Sequence, residues 1–193
     1  MICNQVYHIY NRGVDKRKIF LDKKDYRRFV EGLIVFNDTK NLNGERFKYR
    51  IENTDKHKLV NIIAYCLMPN HFHLLLEQIE IDGITRFIKK LSTSYVMYFN
   101  NKYERTGALI QGVFKRSHIR TDAQLLEISR YIHLNPVKIL PIEKRHEILE
   151  YPWSSMPEYI GNNNGLSVIS NQKIVLGQFK TQDEYRKYVV GPT

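Results

Sequence analysis

Two histidines separated by a single residue stand in the run Met68-Pro69-Asn70-His71-Phe72-His73-Leu74-Leu75-Leu76. Pro69-Asn70 is a turn signal, and the residues after it alternate as a strand would. Side chains two apart on a strand share a face, so His71 and His73 point the same way and Phe72 points into the opposite layer. Two neighbouring imidazoles are half of a divalent-metal site. A third donor comes from the stretch Arg130-Tyr131-Ile132-His133-Leu134-Asn135-Pro136, which reads as the end of a helix. Tyr131 and Asn135 are four residues apart and so lie one turn apart on one helix face. An amide oxygen suits a hard cation, and two imidazoles, one amide and a phosphate oxygen would suit Mg²⁺ or Mn²⁺. A phenol beside such a cation could attack phosphorus if the charge developing on the phosphate were neutralised. Without those partners, His71 and His73 would read as half-buried histidines and Tyr131 as an aromatic packed on a sheet.

The elements that must position these groups follow from periodicity. Val6-Tyr7-His8-Ile9-Tyr10 is rich in β-branched and aromatic residues and reads as a strand that Asn11-Arg12-Gly13 ends. Residues 22–36 carry Tyr26, Phe29, Val30, Leu33 and Ile34 at helical spacing. Residues 37–58 are polar and read as a surface excursion, with a short strand expected at 47–51. The apolar run 59–67 and the histidine run 71–78 should pair as a hairpin. Residues 82–101 give the clearest helix, with Ile84, Phe87, Ile88, Leu91, Tyr95 and Tyr98 in one stripe and Asp82 as the expected N-cap. Residues 112–120 form a basic, glycine-led segment, expected as a loop or irregular strand. Thr121-Asp122-Ala123-Gln124 is a capping box, and the helix it opens should stop before Pro136. Thr181-Gln182-Asp183-Glu184 opens a short terminal helix. This order predicts an α+β fold: an antiparallel sheet with helices packed on one face. Residues 1–160 are expected as the main domain and 161–193 as a C-terminal extension.

The chain carries 30 Lys and Arg against 20 Asp and Glu over 193 residues, a formal charge of +10. Such an excess favours polyanionic partners, because phosphate binding releases counterions. Cys3 and Cys66 are the only cysteines, so neither a disulfide framework nor a thiolate zinc site is expected. The start of the chain turns polar at once and no apolar run is long enough to span a bilayer. A cytoplasmic protein with no membrane association and no implied protein partner is the expectation.

The motifs together resemble a known family. In order they are Tyr7-His8-Ile9-Tyr10-Asn11-Arg12-Gly13, Tyr65-Cys66-Leu67-Met68-Pro69-Asn70-His71-Phe72-His73, Gln111-Gly112-Val113-Phe114-Lys115, Arg130-Tyr131-Ile132-His133-Leu134-Asn135-Pro136-Val137-Lys138 and Tyr151-Pro152-Trp153-Ser154-Ser155. The chain resembles the single-tyrosine HUH transposases of bacterial insertion sequences, and most of all their REP-associated tyrosine transposase branch. The resemblance implies a ferredoxin-like core and cleavage of single-stranded or hairpin DNA through a 5′-phosphotyrosine, leaving a free 3′-hydroxyl. By position it makes Tyr131 the nucleophile and His71 and His73 the metal ligands. Asn135 falls where the insertion-sequence relatives usually carry glutamine, one methylene longer, so it binds directly or through water, or His133 takes its place. The resemblance leaves open a monomer or a homodimer.

Further expectations concern DNA. Asn11, Arg12 and Gly13 leave the first strand in a turn that could meet phosphate or base edges. Lys115, Arg116 and Arg120 flank the tyrosine helix and could track a strand's backbone. Tyr95, Tyr98 and Phe99 could stack bases, although Tyr95 and Tyr98 fit the core stripe better. Glu77 would share the face of the histidines on a regular strand and could serve a water-based hydrolysis or support one imidazole. Trp153 reads as an anchor of the tail. The competing function is a domesticated hairpin-binding protein that no longer cuts.

Overall fold

The computed structural model describes residues 3–39, 57–162 and 168–191. A strand β1 (Val6–Arg12) leads into a helix α1 (Lys23–Val35). The hairpin β2 (Val60–Met68) and β3 (His71–Gln78) follows, then helix α2 (Gly83–Lys102), strand β4 (Lys115–Ile119) and helix α3 (Asp122–Leu134). A 3₁₀ turn at Asn135–Lys138, a 3₁₀ segment at Ile142–Glu150 and three short helices complete the chain: α4 (Met156–Tyr159), α5 (Lys173–Leu176) and α6 (Gln182–Val190). The strands form one antiparallel sheet in the order β2-β3-β1-β4. With the connectivity βαββαβ this is the ferredoxin-like arrangement. The strand expected at 47–51 lies outside the described residues.

Register sorts the side chains into two layers. On one face, Tyr7 and Ile9 of β1, Tyr65 and Leu67 of β2 and Phe72, Leu74 and Leu76 of β3 pack against Phe29, Leu33, Phe87, Leu91 and Tyr95 of α1 and α2. These are the helices expected on one face. The other face is covered as well. Cys66, Met68 and Leu75 pack there with Leu125 and Ile132 of α3 and with Met156, Val175, Tyr185 and Val189 from the tail. The physical reason lies in the strands themselves: β2 and the middle of β3 are apolar on both sides, and one helical layer would leave Leu75 and Cys66 in water. A bulge in β2, where the register slips between Ile62 and Ala64, adds to this layer by turning both Ile63 and Ala64 toward it. The tail helices α5 and α6 are therefore part of the second core, while Val168 packs in the first.

The helix ends show which local expectations hold. Asp22 caps α1 in a reciprocal capping box with Asp25. The Asp25 carboxylate is fully buried and accepts from Lys102 Nζ at 2.6 Å and from the Tyr103 hydroxyl at 2.8 Å, tying α1 to α2. Asp82 does not cap α2 with its side chain. It sits in the left-handed region (φ 55°), where it turns the chain out of the hairpin instead. Thr121 and Thr181 each accept a hydrogen bond from the amide three residues on. Gln124 and Glu184 reach back one residue beyond the cap, to the amides of Arg120 and Lys180. Pro136 does not force Asn135 out of the helical region (φ −52°, ψ −40°). It occupies the start of the following 3₁₀ turn, where its missing N–H costs nothing.

The segment after Trp153 closes the sheet's outer edge. Leu67 donates to the Trp153 carbonyl, Ser155 donates to the Tyr65 carbonyl, and Ser170 donates to the Ile62 carbonyl. Trp153 itself stacks on Tyr26 with ring centres 4.8 Å apart, the anchoring role expected of it.

Candidate active site

The histidine pair faces the α3 layer. His71 and His73 project from β3 with ring centres 5.0 Å apart and planes nearly perpendicular. Tyr131, one turn before the end of α3, brings its ring to 5.4 Å from the His73 ring. It is 40% exposed. These groups share a cleft of about 330 Å³ with Tyr10, Asn11, Arg12, Lys16, Asn70, Gln111 and Lys115. A late helix and a mid-chain strand are thus brought together by the second core, which fixes α3 against β2 and β3.

Burial sets the charge state of the imidazoles. Desolvation lowers the His73 pKa to about 2, helped by the neighbouring His8, His71 and Lys138. His71 is lowered chiefly by burial too, with an opposing contribution from the Asn135 amide that faces it. Both rings are neutral at pH 7, with a lone pair to offer. His71 Nδ1 lies 2.6 Å from Asn70 Oδ1, which can only accept, so the proton sits on Nδ1 and Nε2 is the free lone pair. Asn70 is fixed in turn by donating to the Lys16 carbonyl. His73 Nε2 is buried with no hydrogen-bond partner. A buried orphan lone pair is what a metal ligand looks like before it meets its ion.

Asn135 is fully buried and does not itself line the cleft. Its Nδ2 donates to the Tyr131 carbonyl, and its Oδ1 accepts from Lys138 Nζ at 3.2 Å. Lys138 also lies over the Tyr131 ring, 4.7 Å from its centre. Among the described residues no three His, Cys, Asp or Glu side chains are arranged to hold a metal ion. The available donors are two imidazoles and one amide, which fit a six-coordinate hard cation that keeps the rest of its shell as water or phosphate.

The remaining expected residues divide. Arg12 and Lys115 line the cleft, and Lys115 lies opposite Tyr10 on the face of His73. Asn11 also lines it, but its side chain is used inside the protein: Nδ2 donates to the Gln111 carbonyl and Oδ1 accepts from the Arg12 amide. Arg12 Nε donates to Gln111 Oε1. Arg116 is turned away, because it pairs with Ile9, whose side chain lies in the other layer. Arg120 is exposed beyond the end of β4 and does not line the cleft.

Several alternatives are closed, and the core placement read for Tyr95 holds. Tyr95 and Phe99 are buried in the far layer, and Tyr98 bonds Asp25, so none of the three is free to stack a base. Glu77 Oε2 accepts from Asn61 and Asn171 and supports no imidazole. His133 is fully buried on the opposite side of α3, between the Tyr185 hydroxyl (2.6 Å) and Ser155 Oγ (2.7 Å), and cannot replace Asn135. Sequence reading missed His8, Lys138, Lys16 and Gln111. His8 was two residues from a strand end with no partner visible until the register set it beside His73. Lys138 stood in the same motif as Tyr131, at the seven-residue spacing that returns to one helix face.

The fold and the cleft define a transposase of the single-tyrosine class, and comparison with known proteins agrees. The chain belongs to the IS200-like transposase family, whose model matches residues 4–135. It is similar to a Haemophilus influenzae protein provisionally named a REP-associated tyrosine transposase, 28% identical over an alignment of 142 positions that covers 63% of this chain and 78% of that one. Its fold is that of a solved REP-associated tyrosine transposase bound to a REP hairpin, with a TM-score of 0.60, 15% identity and coverage of 88% of this chain and 93% of that one. Among the described residues no helix is long and apolar enough to cross a membrane.

Proposed function

We propose that this chain is a REP-associated type of transposase that cuts single-stranded DNA beside a hairpin and rejoins it, with Tyr131 as nucleophile. The observation that carries the reading is the approach of the Tyr131 ring to His73, whose Nε2 is buried and unpartnered. Cleavage forms a bond from Tyr131 Oη to phosphorus and breaks the bond from phosphorus to the 3′ oxygen. The phenol loses its proton to solvent and the 3′ oxygen gains one. The second strand's 3′-hydroxyl then attacks the phosphotyrosine, and Tyr131 leaves and regains a proton. The phosphodiester's energy is kept throughout, so no nucleotide cofactor is needed.

His71 Nε2, His73 Nε2 and Asn135 Oδ1 would hold Mg²⁺ or Mn²⁺. That ion supplies charge neutralisation on the phosphate oxygens. Lys138 places a fixed positive charge beside the attacking phenol, and Arg12 and Lys115 hold the strand's phosphates in the cleft. The DNA hairpin bound by the solved relative is the substrate class proposed here.

The test is a labelled hairpin oligonucleotide with a single-stranded flank, incubated with Mn²⁺ and resolved under denaturing conditions. A covalent protein–DNA adduct is expected for the wild type and none for Tyr131→Phe, with binding unchanged. An adduct that survives Tyr131→Phe refutes the nucleophile. Tight binding with no adduct from the wild type would make the chain a binding protein.

A further inference from the structure

Both histidines of the pair line the cleft and each has its Nδ1 engaged, but by different partners. His71 uses the Asn70 carboxamide, which leaves only one assignment of the proton. His73 Nδ1 lies 2.9 Å from Nε2 of a second histidine, His8 on β1. The two ring centres are 5.1 Å apart, and Tyr10 packs against both, with its ring centre 5.0 Å from that of His8 and 5.8 Å from that of His73. His8 is 6% exposed, and its ring centre lies 6.1 Å from that of Tyr131. Two neutral imidazoles share this bond in one of two ways. If His8 donates, His73 must carry its own proton on Nε2, where the structure offers no acceptor and a cation could not bind. If His73 donates from Nδ1, its Nε2 presents a lone pair to the cleft. A buried N–H with no acceptor is the costlier choice.

We infer that His8 is a positioning residue for this site: it accepts the Nδ1–H of His73, fixes that tautomer, and holds the ring with Nε2 aimed at the divalent cation. The inference rests on the metal-dependent reading above. It gives β1 a task beyond lining the cleft. Tyr10 packs against both imidazoles, His8 orients His73, and His73 faces both the cation site and Tyr131. Residues that orient a metal-bound histidine typically contribute about ten- to a hundredfold to metal affinity.

The experiment measures Mn²⁺ binding to the DNA-free protein by paramagnetic resonance, beside the ring ¹⁵N shifts of His73. His8→Phe keeps the stack on Tyr10 and His73 but removes the acceptor, and about ten- to a hundredfold weaker Mn²⁺ binding is expected. His8→Gln restores an acceptor near the same place and should recover most of that loss. In the metal-free wild type, the His73 shifts should report a proton on Nδ1, which is read without any variant. Mn²⁺ binding by His8→Phe equal to wild type overturns the inference while leaving the metal reading intact. A proton on Nε2 of His73 in the wild type overturns it as well. A wild type that binds no Mn²⁺ overturns both.

Discussion

Acidification should destabilise this protein well above the pH at which most carboxylates protonate. His8 and His133 have their pKa values lowered by burial to about 4 and about 3, and burial with neighbouring charge takes His73 to about 2, against 6.5 for an unhindered ring. In the unfolded chain all three rings bind a proton near pH 6.5, whereas in the folded chain they do not. A group whose folded pKa is depressed stabilises fully above the unfolded value, and that stability drains away as pH falls toward the folded value. At pH 5 each ring is about 1.5 pH units below 6.5, which at about 1.36 kcal/mol per unit is about 2 kcal/mol per ring and about 6 kcal/mol for the three. One group opposes them. Burial raises the Glu158 carboxyl to about 7, so it stabilises as pH falls. It is only half-buried, and after discounting for solvent screening it returns at most about 2 kcal/mol. The net expected loss between pH 7.5 and 5 is about 4 kcal/mol, a large share of the roughly 5–15 kcal/mol that holds a domain together. Urea unfolding of the metal-free protein at the two pH values measures it through the midpoint at constant slope. Equal stability at pH 7.5 and pH 5, to within about 0.5 kcal/mol, would show that these rings are already solvated and that the argument from burial is wrong.

Other outcomes follow from single contacts. Tyr185→Phe removes the hydroxyl shared by Ser129 Oγ and His133 Nδ1, both at 2.6 Å. Leaving two buried polar groups without that partner should cost about 2–4 kcal/mol in urea unfolding; a loss below about 0.5 kcal/mol would contradict the network. Lys138→Met removes a cation from beside Asn135 Oδ1 and Tyr131. Mn²⁺ should then bind about tenfold more tightly while adduct formation slows, since a like charge at this range opposes the ion. Weaker Mn²⁺ binding by that variant would mean the lysine supports the site. Lys115→Gln should lower the salt dependence of DNA binding by about one phosphate contact, and Arg116→Gln, turned to the other layer, should not. A larger change for Arg116→Gln in filter binding would place the strand on the wrong face.

The sheet was legible because its signals are local. Alternation in 71–78, the apolar stripe in 82–101 and the threonine caps each depend on neighbours within a turn or two. The pairing of His71, His73 and Tyr131 was legible for another reason: their types together imply one chemistry, and the elements carrying them can meet in few ways. What local signals do not carry is register between distant strands. His8 meets His73 only because β1 pairs antiparallel with β3 at a particular offset. The separate pairing of β1 with β4 likewise decides that Lys115 faces the cleft and Arg116 does not. The burial of Tyr95 was readable from its stripe; Phe99 was left out of that stripe and is buried all the same. His133 was misplaced because position 133 lies on a different helix face from 131 and 135, and that face meets a tail whose packing has no signature near residue 133.

The tail laid along β2 has a consequence for self-association. An open strand edge invites a neighbouring chain to add a strand of its own. Here the amides and carbonyls along β2 that would recruit such a guest are already answered by Trp153, Ser155 and Ser170. At the other border stands β4, five residues long and led by two cations, a poor template for zipping. Two copies meeting in solution would therefore have to join through helices or connecting segments, leaving each sheet four strands wide.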